Sequence, residues 1–318
     1  MAEKFSSIDR VIGAIPDDDK NDIIEESKKA FREQNPGVDE ETRRSIEIEK
    51  TENQIQIIGF ANNLTNNLLR RLGLPEFNIP PRNIHLVRQD FLDAHRTDTA
   101  GVYSSIWQSI AIGETETDLA FAHEVIHEML HFKSHGALQI STNGELTEYR
   151  SGLSATDRAG EKSYLSGLNE AAVEVLTKAA INQLIEGEPL FAAEVQKTER
   201  AKVLFEGQVK EDGEPVIDDD VYYATGYADG NGGHYSIQTF SYRDERKALD
   251  AIADKISEKS HGEYDYNNVS QRILKGMFQG NLLPLAKLIE KTLGKGAFRK
   301  IVELDEDPTE LRKYIESL

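Results

Sequence analysis

The chain has 318 residues, enough to bury a full core and to hold one large domain or two ordinary ones, and its formal net charge is -19 at pH 7. That charge repels a nucleic-acid backbone or an anionic membrane surface over most of the molecule, and the close basic pairs (Lys28 and Lys29, Arg43 and Arg44, Arg70 and Arg71) are scattered rather than gathered into a patch. Cysteine is absent, which excludes disulfides, thiolate metal ligands and a cysteine nucleophile and leaves His, Asp and Glu to hold any metal.

The opening stretch MAEKFSSIDR has no apolar signal core, and nowhere does the chain approach the roughly 20 apolar residues of a membrane span, so a cytoplasmic protein is expected. Residues 1–38 are charged and broken by Pro16 and by Asn35-Pro36-Gly37, which predicts a loosely attached segment. From about Asp39 to Leu72 apolar residues recur at helical spacing (Ile46, Ile55, Ile58, Leu64, Leu68), and Gly73-Leu74-Pro75 stops the helix. The period then changes: NIHLVRQ at 83–89 reads as a strand, and 101–113 as one or two more.

Thr115 or Thr117 can cap the next helix, with Glu116 and Asp118 placed well against its dipole. This helix is expected to end near Gly136. Asn143-Gly144 between two alternating runs predicts a hairpin, and a second strong helix covers about Gly167 to Ile185. Residues 200–240 are rich in aromatics, Asp and Gly and read as a β-rich insertion or lid; the chain is helical from 241 to the end, with Pro308 at a first helical position. The Asp-rich part of the insertion lacks the ligand spacing of a calcium loop and reads as acidic and solvated.

Residues 123–131, HEVIHEMLH, contain His-Glu-x-x-His in two overlapping frames, His123-Glu124-His127 and His127-Glu128-His131. On a helix, two His four apart converge on one face and can share an ion. His123 and His131 are about 12 Å apart along the axis, too far for one tetrahedral ion, so the frames are alternatives that share His127. The first frame sets a charge, Glu128, directly after its second His, and the second has more helix ahead of it; both points favour His127, Glu128 and His131. His123 and His135 are then expected as neighbours with structural roles. On the second helix, Glu170 lies among apolar positions, where a carboxylate is costly unless it binds a metal or pairs with a group such as Arg150.

His-Glu-x-x-His followed by Gly167-Leu168-Asn169-Glu170 and Glu174 resembles the gluzincin zinc metallopeptidases. The resemblance covers about residues 83–186. It implies an α+β fold with a zincin-like core at 39–199: a small mixed sheet, an active-site helix and a glutamate helix, followed by a mostly helical C-terminal part. It further implies a Zn2+ cofactor held by His127, His131 and Glu170, with Glu128 as general base. Glu174, where the family commonly has Asp, would orient a ligand His. SIAIG at 109–113 is expected as the edge strand beside the cleft, where an extended peptide or protein substrate would pair.

Tyr149, Arg150, Tyr164, His234 and Tyr235 are the candidates to stabilise an oxyanion. The alternatives are a catalytically inactive zincin-like binding protein and a helical interaction protein. The net charge of -19 is expected to favour neutral or basic peptides over acidic ones by a long-range attraction that salt screens.

Overall fold

A computed structural model describes residues 6–33, 40–95, 100–141, 144–209, 219–227 and 234–318. The elements follow in chain order: β1 (Ile8–Ile12), α1 (Asp17–Glu33), α2 (Glu40–Ile46), β2 (Glu47–Ile48), α3 (Glu52–Arg71), β3 (Ile84–Val87), α4 (Gln89–His95), β4 (Gly101–Ser104) and β5 (Ser109–Ile112). Next come α5 (Asp118–Lys133), β6 (Gly136–Ile140), β7 (Leu146–Ser151), β8 (Ser154–Thr156), β9 (Ser163–Tyr164), α6 (Ser166–Gly187) and α7 (Ala192–Phe205). The chain ends with the antiparallel pair β10 (Val221–Tyr227) and β11 (His234–Thr239), then α8 (Arg243–Lys259), α9 (Tyr266–Gln279), α10 (Leu282–Leu293), α11 (Ala297–Leu304) and α12 (Pro308–Ser317). The fold is α+β, with small mixed sheets and a helical C-terminal part. Among the described residues no helix is long and apolar enough to cross a membrane.

One sheet runs β2-β3-β5-β4 and another β1-β6-β7-β8-β9. Helix α5 packs on β4 and β5 and lies against both α3 and α6. It is buried nearly all round, with Leu119, Phe121, Val125, Ile126 and Met129 fully buried, so it lies at the centre of the core rather than on the surface.

Both helices that carry the motif residues are capped from far away in sequence. Thr117 accepts from the Ala120 N–H at 3.0 Å, as expected for the α5 start, and the Glu194 carboxylate of α7 accepts from the Asp118 and Leu119 N–H groups at 3.0 and 2.8 Å. The α6 start has no local side-chain cap; Asp305 accepts there from the Gly167 and Leu168 N–H groups, each at 2.9 Å. A carboxylate at a helix N-terminus satisfies orphan donors and complements the dipole.

Three expectations need correction. The first is the loose N-terminal segment: β1 pairs in parallel with β6 and buries Ile8 and Val11 against Leu138. Its lead-in is equally fixed, since the Ser7 N–H donates to Gln108 Oε1 at 2.8 Å and the Ser7 hydroxyl bonds the Tyr103 hydroxyl. The approach is so close that a Cβ on Gly136 would meet the Ser7 carbonyl oxygen at 2.5 Å. Backbone pairing to a buried strand outweighs the charged composition of the segment.

Second, the single helix expected over 39–72 is α2, β2 and α3. A capping box at Thr51 restarts the helix, Thr51 accepting from the Gln54 N–H at 3.2 Å and Gln54 accepting from the Thr51 N–H at 2.9 Å, while Glu47 and Ile48 pair with β3.

Third, SIAIG forms β5, which is interior, between β3 and β4. The edge strand is β4, because Gly101–Ser104 folds back on β5 as the outer arm of an antiparallel hairpin. The 200–240 region also begins with the end of α7. Its Asp220 is buried in ion pairs rather than solvated, and residues 210–218 and 228–233 lie outside the described residues.

Candidate metal centre and cleft

His127 and His131 sit one turn apart on α5, and Glu170 faces them from α6. Their ligand atoms converge: Glu170 Oε2 is 3.2 Å from Nε2 of each His, and the two Nε2 atoms are 3.2 Å from one another. Four-coordinate zinc with ligands at about 2.0–2.1 Å sets its donor atoms roughly 3.3 Å apart, so the three atoms already have the spacing of three corners of such a tetrahedron. The donor set of two imidazoles and one carboxylate suits zinc and leaves one position for another ligand. These three residues could therefore hold a metal ion. Arg150, the structural alternative for Glu170, is engaged elsewhere: its guanidinium donates to the carbonyls of Gly152, Gly276 and Gly280.

Glu174, one turn after Glu170, is fully buried and touches both remaining imidazole faces. Its Oε2 is 3.0 Å from His127 Nδ1 and its Oε1 is 3.0 Å from His123 Nε2. A carboxylate only accepts, so the His127 proton on Nδ1 points at Glu174, and Nε2, on the side of His131 and Glu170, is the atom that would face a metal. Oε1 also accepts the Ser241 N–H at 2.6 Å. His123 thus stands behind the ligand cluster, held by Glu174 and by Glu124 at 3.0 Å and stacked on Tyr222 at 4.9 Å. His135 lies farther off, 3.1 Å from Asp9, and ties β1 to the end of α5.

The electrostatics follow from burial opposed by partners. Burial raises the Glu170 and Glu174 carboxyls, but their imidazole neighbours outweigh it and hold both well below the carboxylate range. His123 is lifted to about 9: burial lowers it, and the bonds to Glu124 and Glu174 more than compensate. Glu128 moves up, chiefly through burial, with the His131 and His127 charges opposing and the Glu124 and Glu170 charges reinforcing. A carboxylate so placed is more basic than one in water.

The cavity in front of the cluster measures about 650 Å³. Its walls include Glu128, the edge strand from Gly101 to Ser104, Glu148 and Ser151 of β7, and Ser241 and Tyr242. Glu128 is held against the edge strand, where a Cβ on Gly101 would meet Glu128 Cγ at 3.0 Å. No protein-family model, no curated protein and no solved structure matches this chain.

Of the five oxyanion candidates, Tyr149, Arg150, Tyr164 and Tyr235 do not line the cavity, and the His234 side chain lies outside the described residues. Tyr242, by contrast, lines the cavity and stacks over His127 with ring centroids 6.2 Å apart. Burial first, then the Glu170 and Glu128 charges, push its hydroxyl far above the usual range, so it stays protonated as a donor. The residue sits left-handed at φ 55° just before α8, so its position depends on a turn and not on helix or strand periodicity.

That turn is clamped. The Arg246 guanidinium donates to the Ser241 carbonyl at 2.9 Å, to the Phe240 carbonyl at 3.3 Å and to Asp220 at 2.9 Å, and Lys178 donates to Asp220 at 2.9 Å. The same three residues, Phe240 to Tyr242, place a ring beside His123, an N–H on Glu174 and a phenol in the cavity wall.

Proposed function

We propose that the protein is a zinc-dependent metallopeptidase with a zincin-like core, resembling the gluzincins. The observation that carries the reading is the convergence of His127, His131 and Glu170 at 3.2 Å in the wall of one cavity that also contains Glu128 and an edge strand. A bound zinc supplies Lewis-acid polarisation of a carbonyl and makes water a stronger acid.

The chain's own residues do the rest. Glu128 accepts the proton of the attacking water and passes it to the leaving amine; its raised affinity for protons suits both steps. Tyr242 donates to the developing oxyanion. Glu174 holds the proton on His127 Nδ1, so that Nε2 is the atom that would bind the metal. The outer edge of β4, which has no strand partner among the described residues, offers its backbone groups to an extended substrate, which lies along it and in front of Glu128.

The test is metal analysis of protein purified without added zinc, together with Glu128→Gln. Expected are about one zinc per chain, and a variant that keeps the metal and loses peptide turnover. An active Glu128→Gln beside a dead Glu124→Gln would move the base to the first frame. Full zinc without turnover of any peptide would leave a zincin-like binding protein, and no metal at all would leave a helical interaction protein.

A further inference from the structure

The charged groups of the cavity wall balance poorly. Seven His and Glu side chains line it, namely His123, His127, His131, Glu124, Glu128, Glu148 and Glu170, and among the described residues no Lys or Arg does. Most of them are committed: Glu170 to His127 and His131, Glu124 to His123, and Glu128 to its place between α5 and Gly101. Glu148 is different. It lines the cavity, half-buried on β7, and its side chain makes no hydrogen bond or ion pair with any described residue.

Its position in the cleft is fixed by the sheet. Glu148 pairs in register with Leu138 of β6, which β1 covers on the other side. It stands close enough to the edge strand that, after burial, its charge is the main influence raising the Tyr103 hydroxyl. Ser151, Ser154 and Ser166 line the same cavity and add small hydroxyls without a countercharge.

We propose that Glu148 is a specificity-determining residue: it forms a subsite that takes a lysine or arginine side chain of the substrate. The proposal rests on the peptidase reading for its substrate class. An extended chain lying along β4 alternates its side chains, so one projects from the strand at Tyr103 into the cavity toward Glu148. A cation there finds a carboxylate already partly stripped of water and without a partner among the described residues, flanked by hydroxyls that accept its remaining protons. An acidic side chain beside Glu148 meets like charge there.

Binding is measured first on zinc-loaded Glu128→Gln protein, so that nothing is cleaved. Fluorescent peptides identical except for Lys, norleucine or Glu at one scanned position are titrated at low and at high salt. At one position, Lys is expected to bind roughly tenfold more tightly than norleucine, with Glu weakest. High salt removes the long-range attraction of the acidic molecule and leaves this local difference. Adding Glu148→Gln abolishes the difference, and Glu148→Lys reverses it so that the Glu peptide binds best; zinc content stays the same in all three proteins.

A charge preference that survives Glu148→Lys, the absence of any preference, or no binding of any peptide overturns the subsite. Turnover by the unsubstituted protein is scored separately. Glu148-dependent binding without cleavage keeps the subsite and removes the peptidase reading, whereas cleavage indifferent to Glu148 does the opposite.

Discussion

Glu174 holds His127 by its Nδ1 at 3.0 Å while its other oxygen takes the Ser241 N–H at 2.6 Å. The orientation of one ligand imidazole thereby depends on a turn 67 residues farther along the chain.

Replacing Glu174 by Gln keeps the shape but offers an amide where His127 needs a charged acceptor. Zinc affinity should fall by about 10–100-fold, the usual effect of losing a carboxylate behind a ligand His. Competition with a chromophoric chelator measures it; unchanged affinity would show that Glu174 does not orient the ligand.

Gly101→Ala sets a methyl 3.0 Å from Glu128 Cγ and 3.3 Å from Oε1. The carboxylate must shift by a few tenths of an ångström while the ligand cluster on the far side stays in place. The expected result is a drop in kcat on the order of tenfold with KM and zinc content nearly unchanged. Peptide hydrolysis kinetics beside metal analysis would check it.

Asp220 contributes stability that depends on pH. Burial pushes its carboxyl up, but the Arg246 and Lys178 hydrogen bonds win and hold it below its ordinary 3.8. Between those two values the unfolded chain binds the proton more readily than the folded one. The contribution is therefore complete above 3.8 and is lost as pH falls through the lowered value. Asp220→Asn should cost about 2–3 kcal/mol at neutral pH, by stripping a partner from buried Arg246, and should flatten the acid limb. Urea midpoints from about pH 5 to about pH 2.5 measure both effects.

Deleting residues 1–12 removes β1, exposes one edge of β6 and uncovers Leu138. Loss of the buried Ile8 and Val11 side chains alone should cost roughly 3–6 kcal/mol. The shortened protein should unfold at markedly lower denaturant, or fail to fold. A midpoint equal to that of the full chain would mean that the segment is an appendage after all.

The sequence by itself determined what depends on near neighbours. The Thr117 cap and the acidic first turn define the start of α5, and the four-residue spacing puts His127 and His131 on one face of it. The run from Gly167 to Glu174 places two carboxylates one turn apart on α6, so the candidate ligands were legible before any coordinates. Tertiary structure decided what depends on distant partners. Charged composition made the first residues look detached, but strand pairing with β6 is a long-range backbone interaction that composition does not encode. Asp305 caps α6 from 137 residues away in sequence, and β4 rather than β5 is the edge because sheet order is not chain order. Tyr242 was invisible for the same reason: it belongs to no period, and only the Arg246 clamp, buried with Asp220 beneath the turn, carries its ring to the cleft.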